Sequence, residues 1–444
     1  MALTTAVGVA LAVATGCSSD SGSSSSESKV PEIESLPGNS YLQTNFAANK
    51  DEYKAKFVFP DLVNAWGLAI RPKGAGGHFW VGAGDKSFEF VGDVTKSPDE
   101  ALRTLHQDGL KEVTIPNADH DTSDASIGKT TGVIFNPAPI TSDKFVVTDQ
   151  PVDFEGQHQL LTGSARFIFA TDSGTISAWT EQAPGGAIVR HNGPSKEVFN
   201  GKDQGMAFLG IAIAPGDGGT LLAADFGEDP QVRQLDKDWK LVPTVGYANP
   251  FASGDLIDPA DPSKGKKTKP GDPAPFNITT IGERVFVSYA TTMEPEDAKG
   301  SGKFDAGEED SLDKDQEAAA KDLPGKGKLA EFDGTGKLVR TFVDKDRLNA
   351  PWGVAIAPEG FGPLSGKILV GNFAGAGRIV AFDDATATFV DFVRNDEGKY
   401  VEIEGIWALL FGNGESLGDN NALYFTAGPD DEKDGLFGAL RPKS

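Results

Sequence analysis

"NAPWGVAIAP" at residues 349–358 nearly repeats "NAWGLAIRP" at residues 64–72, and the recurrence of this phrase along the chain decides the fold. Weaker relatives are "TTGVIFNPAP" from Thr130, "FLGIAIAPGD" from Phe208, "APFNITTIGE" from Ala274 and "IEGIWALLFG" from Ile403, about six copies in all. Each joins a Gly or Asn to a short apolar run and stops at Pro or Gly, the pattern of a strand buried on both faces and ended by a turn. A second strand and a polar turn always follow: "FWVGAGDK" at Phe79, "RFIFATDSGTISAW" at Arg166, "TLLAADFGED" at Thr220, "RVFVSYATTM" at Arg284, "KILVGNFAGAGRIVAF" at Lys367 and "ALYFTAGPDD" at Ala422. The units recur about every 50 to 80 residues, which leaves room for loop insertions beyond a compact blade.

A solenoid of such units needs capped ends, whereas radial closure needs none. The sequence therefore predicts an all-β chain folded as a β-propeller of about six blades, with each repeated phrase as the innermost strand. Gly and Ala suit that position because strands crowd at the axis. A single β-sandwich does not explain one strand order recurring through the whole chain. The last unit, "EGIWALLF", "ALYFTAG" and "GLFGALRP", is one strand short of a four-stranded blade. "SYLQTNFAA" at Ser40 to Ala48 is the expected closing strand, since an open ring leaves an unpaired edge.

The 444 residues carry 65 Asp and Glu against 41 Lys and Arg, a net charge of −24 that argues against nucleic acid as a partner. "MALTTAVGVALAVATGC" is too short to span a bilayer and resembles a bacterial lipoprotein signal, cleaved before a lipidated Cys17. Ala14 stands where such signals usually have Leu, and no Lys or Arg precedes the apolar run. The expected organisation is a signal at residues 1–17, a Ser-rich tether at 18–39 and a single propeller at 40–442. Its expected location is extracytoplasmic, as a monomer held to a membrane by lipid on Cys17. With one cysteine in the chain, no internal disulfide forms.

"NAWGLAI", "TGVIFN", "RFIFATDSGTISAW", "APFNI", "LNAPWGVAIAP", "GKILVGNF", "GIWALLFGNG" and "LYFTAGPDDEKDGLFG" are similar, in order, to the motifs of a bacterial family of conserved hypothetical exported β-propellers. Some members of that family carry a PEP-CTERM sorting tag. The resemblance covers roughly residues 40 to 440 and implies fold and export, with no settled activity. This chain departs from it in lacking the tag and in carrying an acidic insertion at about 294–327.

No phosphate loop, nucleophile elbow or His-Glu-x-x-His motif occurs, and His78, His106, His120, His158 and His191 share no motif spacing. Propeller geometry directs attention to the face where the chain enters the innermost strands. The loops entering those strands place Asn64, Trp66, Phe276, Asn277, Asn349, Trp352, Glu404 and Trp407 there. Loops between second and third strands add Asp85, Asp172, Asp225, Phe226, Asn372 and Phe373. Converging oxygens would suit Ca²⁺ or Mg²⁺, and the aromatic rings would stack on a flat ligand. Individually, the Asp and Asn residues read as turn formers. "DSLDKDQE" in the insertion lacks the mid-loop Gly and acidic spacing of an EF-hand, so the insertion reads as solvated, with helical character near Glu317 to Lys321. "NADHDTSDAS" from Asn117 reads the same way. The expected function is a binding or interaction scaffold for a small molecule, glycan or protein. The alternative is a hydrolase resembling sugar lactonases, with a metal on Glu404, Asn277, Asn349 and Asp225, although that family's motifs are absent.

Overall fold

All six repeated phrases become innermost strands: Ala65–Ala69, Thr130–Phe135, Phe208–Ile213, Pro273–Ile281, Pro351–Ile356 and Ile406–Phe411. Each packs on the next, and the last packs on the first, so the sheets form a ring. The protein, seen in a computed structural model, is described over residues 35–120, 128–182, 186–294, 300, 304–306 and 326–443. These residues form six antiparallel blades, numbered one to six from the blade that begins at Ala65.

Glycine recurs in the phrases because neighbouring inner strands touch backbone to backbone. A Cβ on Gly67 of blade one would sit 2.8 Å from the Val133 nitrogen of blade two. A Cβ on Gly353 of blade five would lie 2.3 Å from the Trp407 carbonyl of blade six, and Gly132 and Gly210 abut the following strands in the same way. Real Cβ atoms do not come so close, so a side chain here would push two blades apart. Blade four carries Asn277 at this place and turns the contact into a hydrogen bond, with Nδ2 donating to the Trp352 carbonyl at 2.9 Å. The register between first and second strands slips at the same point in all six blades. Such bulges bend a strand away from flat pairing.

Closure follows the sequence expectation. Tyr41–Ala48 pairs antiparallel with Leu436–Pro442, from Tyr41 opposite Pro442 to Ala48 opposite Leu436. Phe57–Val58 adds a further strand, parallel to Ala47 and Ala48, so blade six has five strands. Side chains bind this blade to both neighbours. Tyr424 and Arg441 both bond the Asp93 carboxylate of blade one, and the Tyr41 hydroxyl donates to the Phe361 carbonyl of blade five at 2.7 Å. The chain is tied down before Ser40, because the Leu36 N–H and the Asn39 amide reach the Asp391 carboxylate at 3.0 and 2.8 Å.

Two insertions decorate the ring. A hairpin of Val146–Phe154 and Gln157–Ser164 leaves blade two between its first and second strands, a feature the sequence reading did not anticipate. Its two-residue turn, Glu155 and Gly156 with φ of 50° and 73°, has the left-handed backbone that matches hairpin twist. In the acidic insertion, Asp305–Ala306 pairs with Thr292 and Met293, and Phe304 and Ala306 pack on the hydrophobic core that includes the axial tryptophans. The remainder of that segment, including Glu317 to Lys321, lies outside the described residues, as do Cys17, the tether through residue 34 and residues 121–127.

Deleting residues 1–34 should leave the melting temperature of the ring unchanged, whereas deleting 1–48 strips the closing strand. Each lost ladder bond is worth ~0.5–1.5 kcal/mol net, so several together approach the ~5–15 kcal/mol margin of a domain. The longer deletion should aggregate or melt cooperatively at much lower temperature, as differential scanning calorimetry would read. Equal stability of the two proteins would refute closure by this strand.

Candidate functional site

The upper face, where the chain enters the innermost strands, gathers the expected aromatic residues but buries them in one another. Trp407 of blade six stacks on Trp66 of blade one at 3.7 Å and on Phe373 of blade five at 3.9 Å. Trp352 meets both tryptophans edge-on, and Phe276 and Phe226 extend the cluster into blades four and three. The Trp352 indole N–H donates to the Leu209 carbonyl at 2.9 Å, so blade five reaches blade three across the axis. Trp66, Trp352 and Trp407 are 4, 6 and 1 % exposed. The rings therefore form a plug, and their stacking faces are taken.

The polar candidates surround this plug and are engaged locally. Asn64, at a φ of 48°, accepts the Trp407 indole N–H at 2.8 Å. Asp225 takes the Ala207 and Gly227 N–H groups on one oxygen and Arg233 on the other. Asn372 accepts the Asn349 N–H at 3.1 Å and donates to the Arg347 carbonyl at 2.8 Å. Exposed Glu404 accepts the Asp430 N–H at 3.1 Å. These are the bonds by which Asn and Asp shape loops. Among the described residues, no three His, Cys, Asp or Glu side chains converge in a way that would hold a metal.

Asp172 differs from these. One of its oxygens is buried without a hydrogen-bond partner, and burial, reinforced by the Glu432 carboxylate and opposed by Lys129, pushes its carboxyl up to about 6. Lys129 is itself paired with Glu432.

The lower end of the channel is open. A well of about 650 Å³ is lined by the second halves of all six inner strands, including Leu68, Val133, Ile211, Ile278, Val354 and Leu409, with Trp352 joining it to the plug. Asn277, Thr279 and Thr280 add polar groups on one wall, and among the described residues Glu283 is the one charged residue of the lining. The sequence held a signal for this site, since each phrase continues past its Gly or Asn into residues such as "LAI", "VIF" and "IAI". Those residues read as strand core. Only the ring shows that their free edges face an axial space.

The inserted hairpin walls off a second groove of about 740 Å³, lined by Asp108, His158, Arg190 and His191 among others. His191 donates from Nε2 to the Thr180 carbonyl at 2.9 Å and accepts the Gly193 N–H on Nδ1 at 3.1 Å, which uses both nitrogens of a neutral ring. His78 reaches Asp108 at 2.8 Å. His158 bonds Asp153 at 3.1 Å, so both histidines that line this groove are already bonded.

The fold and its axis define a six-bladed β-propeller plugged at one end. No protein-family model matches the chain. It is 27 % identical over 400 residues to an uncharacterized protein, R648, of Acanthamoeba polyphaga mimivirus, covering 89 % of this chain and 79 % of that protein. It is 31 % identical over 234 residues to a second uncharacterized mimivirus protein, L690, covering 52 % of this chain and 51 % of that one. These viral relatives overturn the expected membership of a bacterial exported family. Among solved structures it is similar to a gluconolactonase of Xanthomonas campestris, with TM-score 0.32 and 13 % identity over 68 % of this chain and 89 % of that one. A Bacteroides caccae protein of unknown function gives TM-score 0.36 and 11 % identity over 83 % and 84 %. Such distant likenesses transfer no activity.

The raised Asp172 makes stability pH-dependent. Below the unfolded value both states hold the proton and its contribution is complete; as pH rises to about 6 the unfolded chain ionises first and that contribution is lost. Asp172→Asn should therefore melt above wild type at about pH 7, with the gap closing toward about pH 4. A gap independent of pH would refute the assignment.

Proposed function

We propose that this chain is a binding propeller, anchored outside the cytoplasm by lipid on Cys17, which receives a small and largely apolar molecule in its axial well. The observation that carries the reading is the well itself, closed above by the aromatic plug and walled by apolar side chains of every blade. Concave apolar space with a few polar groups on one wall is what small-molecule sites offer. A glycan fits less well, because the tryptophan and phenylalanine faces that would stack on sugar are already stacked on one another. The hydrolase alternative requires a metal on Glu404, Asn277, Asn349 and Asp225. Both Asp225 oxygens are already bonded within the protein, and Asn277 donates from Nδ2 to the Trp352 carbonyl with its Oδ1 lying against Gly210, which favours binding over catalysis.

Two measurements test the two parts of this reading. Nile red, a neutral apolar dye, should bind saturably with energy transfer from tryptophan, and Leu410→Arg or Ile213→Arg at the half-buried mouth should weaken it at least ~10-fold, about 1.4 kcal/mol. Unchanged dye affinity in both folded variants would remove the well from the function. Separately, Cys17→Ser should move the protein from the membrane fraction to the soluble fraction, since the lipid is the anchor in this reading. Identical fractionation of variant and wild type would remove the anchor.

A further inference from the structure

The contact between blades one and two contains a group that neither the fold nor the axial well uses. In Lys86–Phe90, Ser87 and Glu89 alternate and so point to one side of the strand. Glu89 pairs across the sheet with Trp80, and Ser87 pairs with Gly82. This side faces blade two. Trp80 stacks on Phe167 at 4.0 Å and meets Trp179 at 5.0 Å, while Gly82 abuts Thr130.

Glu89, Ser87, Thr130 and Trp179 are 0 % exposed and Trp80 is 1 % exposed. Among the described residues, both Glu89 oxygens, the Ser87 and Thr130 hydroxyls and the indole nitrogens of Trp80 and Trp179 have no hydrogen-bond partner. Ser87 is near enough to favour the Glu89 charge slightly but forms no well-aligned bond with it. Elsewhere along the same contact, hydroxyls are satisfied: Ser177 bonds Ser195 at 2.8 Å, Ser195 donates to the Thr114 carbonyl and Thr175 to the Pro116 carbonyl. The unpartnered groups are thus concentrated around one carboxyl.

We propose that the contact between blades one and two encloses bound water that joins the Glu89 carboxyl to the Trp80 indole N–H and the Ser87 hydroxyl. Buried polar groups are almost always bonded, and internal water is the usual partner where two or more donors and acceptors meet. The chemistry of the groups selects water over other small occupants. Burial disfavours the ionised form of Glu89, and a protonated carboxyl has one donor and further acceptor capacity. A cation would find a single carboxyl beside two indole donors, and an anion would find no basic side chain among these groups. Water both donates and accepts, and so matches indole N–H, hydroxyl and carboxylic acid together.

The test uses full-length protein labelled with ¹⁵N at its tryptophan indoles, together with a crystal structure at high resolution. In rotating-frame experiments the Trp80 indole proton should show a dipolar cross-peak to water, of opposite sign to exchange, and the crystal should show density bridging Glu89 and Trp80. Glu89→Gln should keep the cross-peak. Glu89→Leu should abolish it at Trp80, leaving unchanged the Trp352 indole, which donates to Leu209. If Glu89→Leu does not fold, the wild-type density and cross-peak decide alone. A wild-type Trp80 proton without a water cross-peak, or a Glu89 carboxyl bonded directly to protein, would overturn the proposal.

Discussion

The closeness of six strand edges around one axis is the constraint on which the rest of this structure depends. Inner strands that touch backbone to backbone leave no room for Cβ atoms at Gly67, Gly132, Gly210 and Gly353. The same closeness brings carbonyls of one blade within reach of side chains on the blade before it. Thr426 bonds the Trp66 carbonyl, Thr131 bonds the Phe208 carbonyl at 2.6 Å, and Ser288 and Asn277 converge on the Trp352 carbonyl. These bonds sit where water is excluded, and there an unpaired carbonyl is costly. The ring is therefore knit at its centre as well as packed at its contacts.

Crowding at the axis also makes the channel one-sided. Aromatic residues follow the inner-strand entrance in blades one, four, five and six, and rings of that size cannot line a narrow axis without meeting. They meet as a stacked and edge-on cluster, and Trp352 fixes it with a hydrogen bond across the channel. Below the plug the residues are smaller or aliphatic, and the space between strands widens into the well. Plug and well have one origin, the change from ring to aliphatic side chain along the phrases of blades one, four, five and six.

Charge enters the architecture mainly at the periphery. Between blades four and five, Arg284 and Arg340 each bond both Glu331 and Asp384, a closed set of two cations and two anions. Bidentate arginine pairs of this kind are among the stronger ion pairs. In a chain of net charge −24, such local neutrality keeps self-repulsion away from the blade contacts. Glu89 stands apart as a carboxyl between blades one and two with no hydrogen-bond partner among the described residues.

Much of this protein was legible in its sequence because a propeller repeats one local problem. Each phrase states strand, close approach and turn within ten residues, so blade number, inner strands and the closing role of Tyr41 to Phe46 follow from pattern alone. The hairpin at Val146–Phe154 and Gln157–Ser164 was not legible, although Glu155 and Gly156 mark its turn, because it interrupts the repeat it belongs to. Local sequence also placed Asn64, Trp66, Trp352, Trp407 and Asn372 on one face. It did not decide whether their rings and amides would point at a ligand or at each other. That depends on the width of the axis, which six blades determine jointly and no single phrase contains. The same holds for the well and for Glu89, which alternation with Phe88 and Phe90 sets on the opposite face and which only the neighbouring blade buries. Strand identity is written in short-range pattern; which polar groups are satisfied, and which space stays open, is decided where distant segments meet.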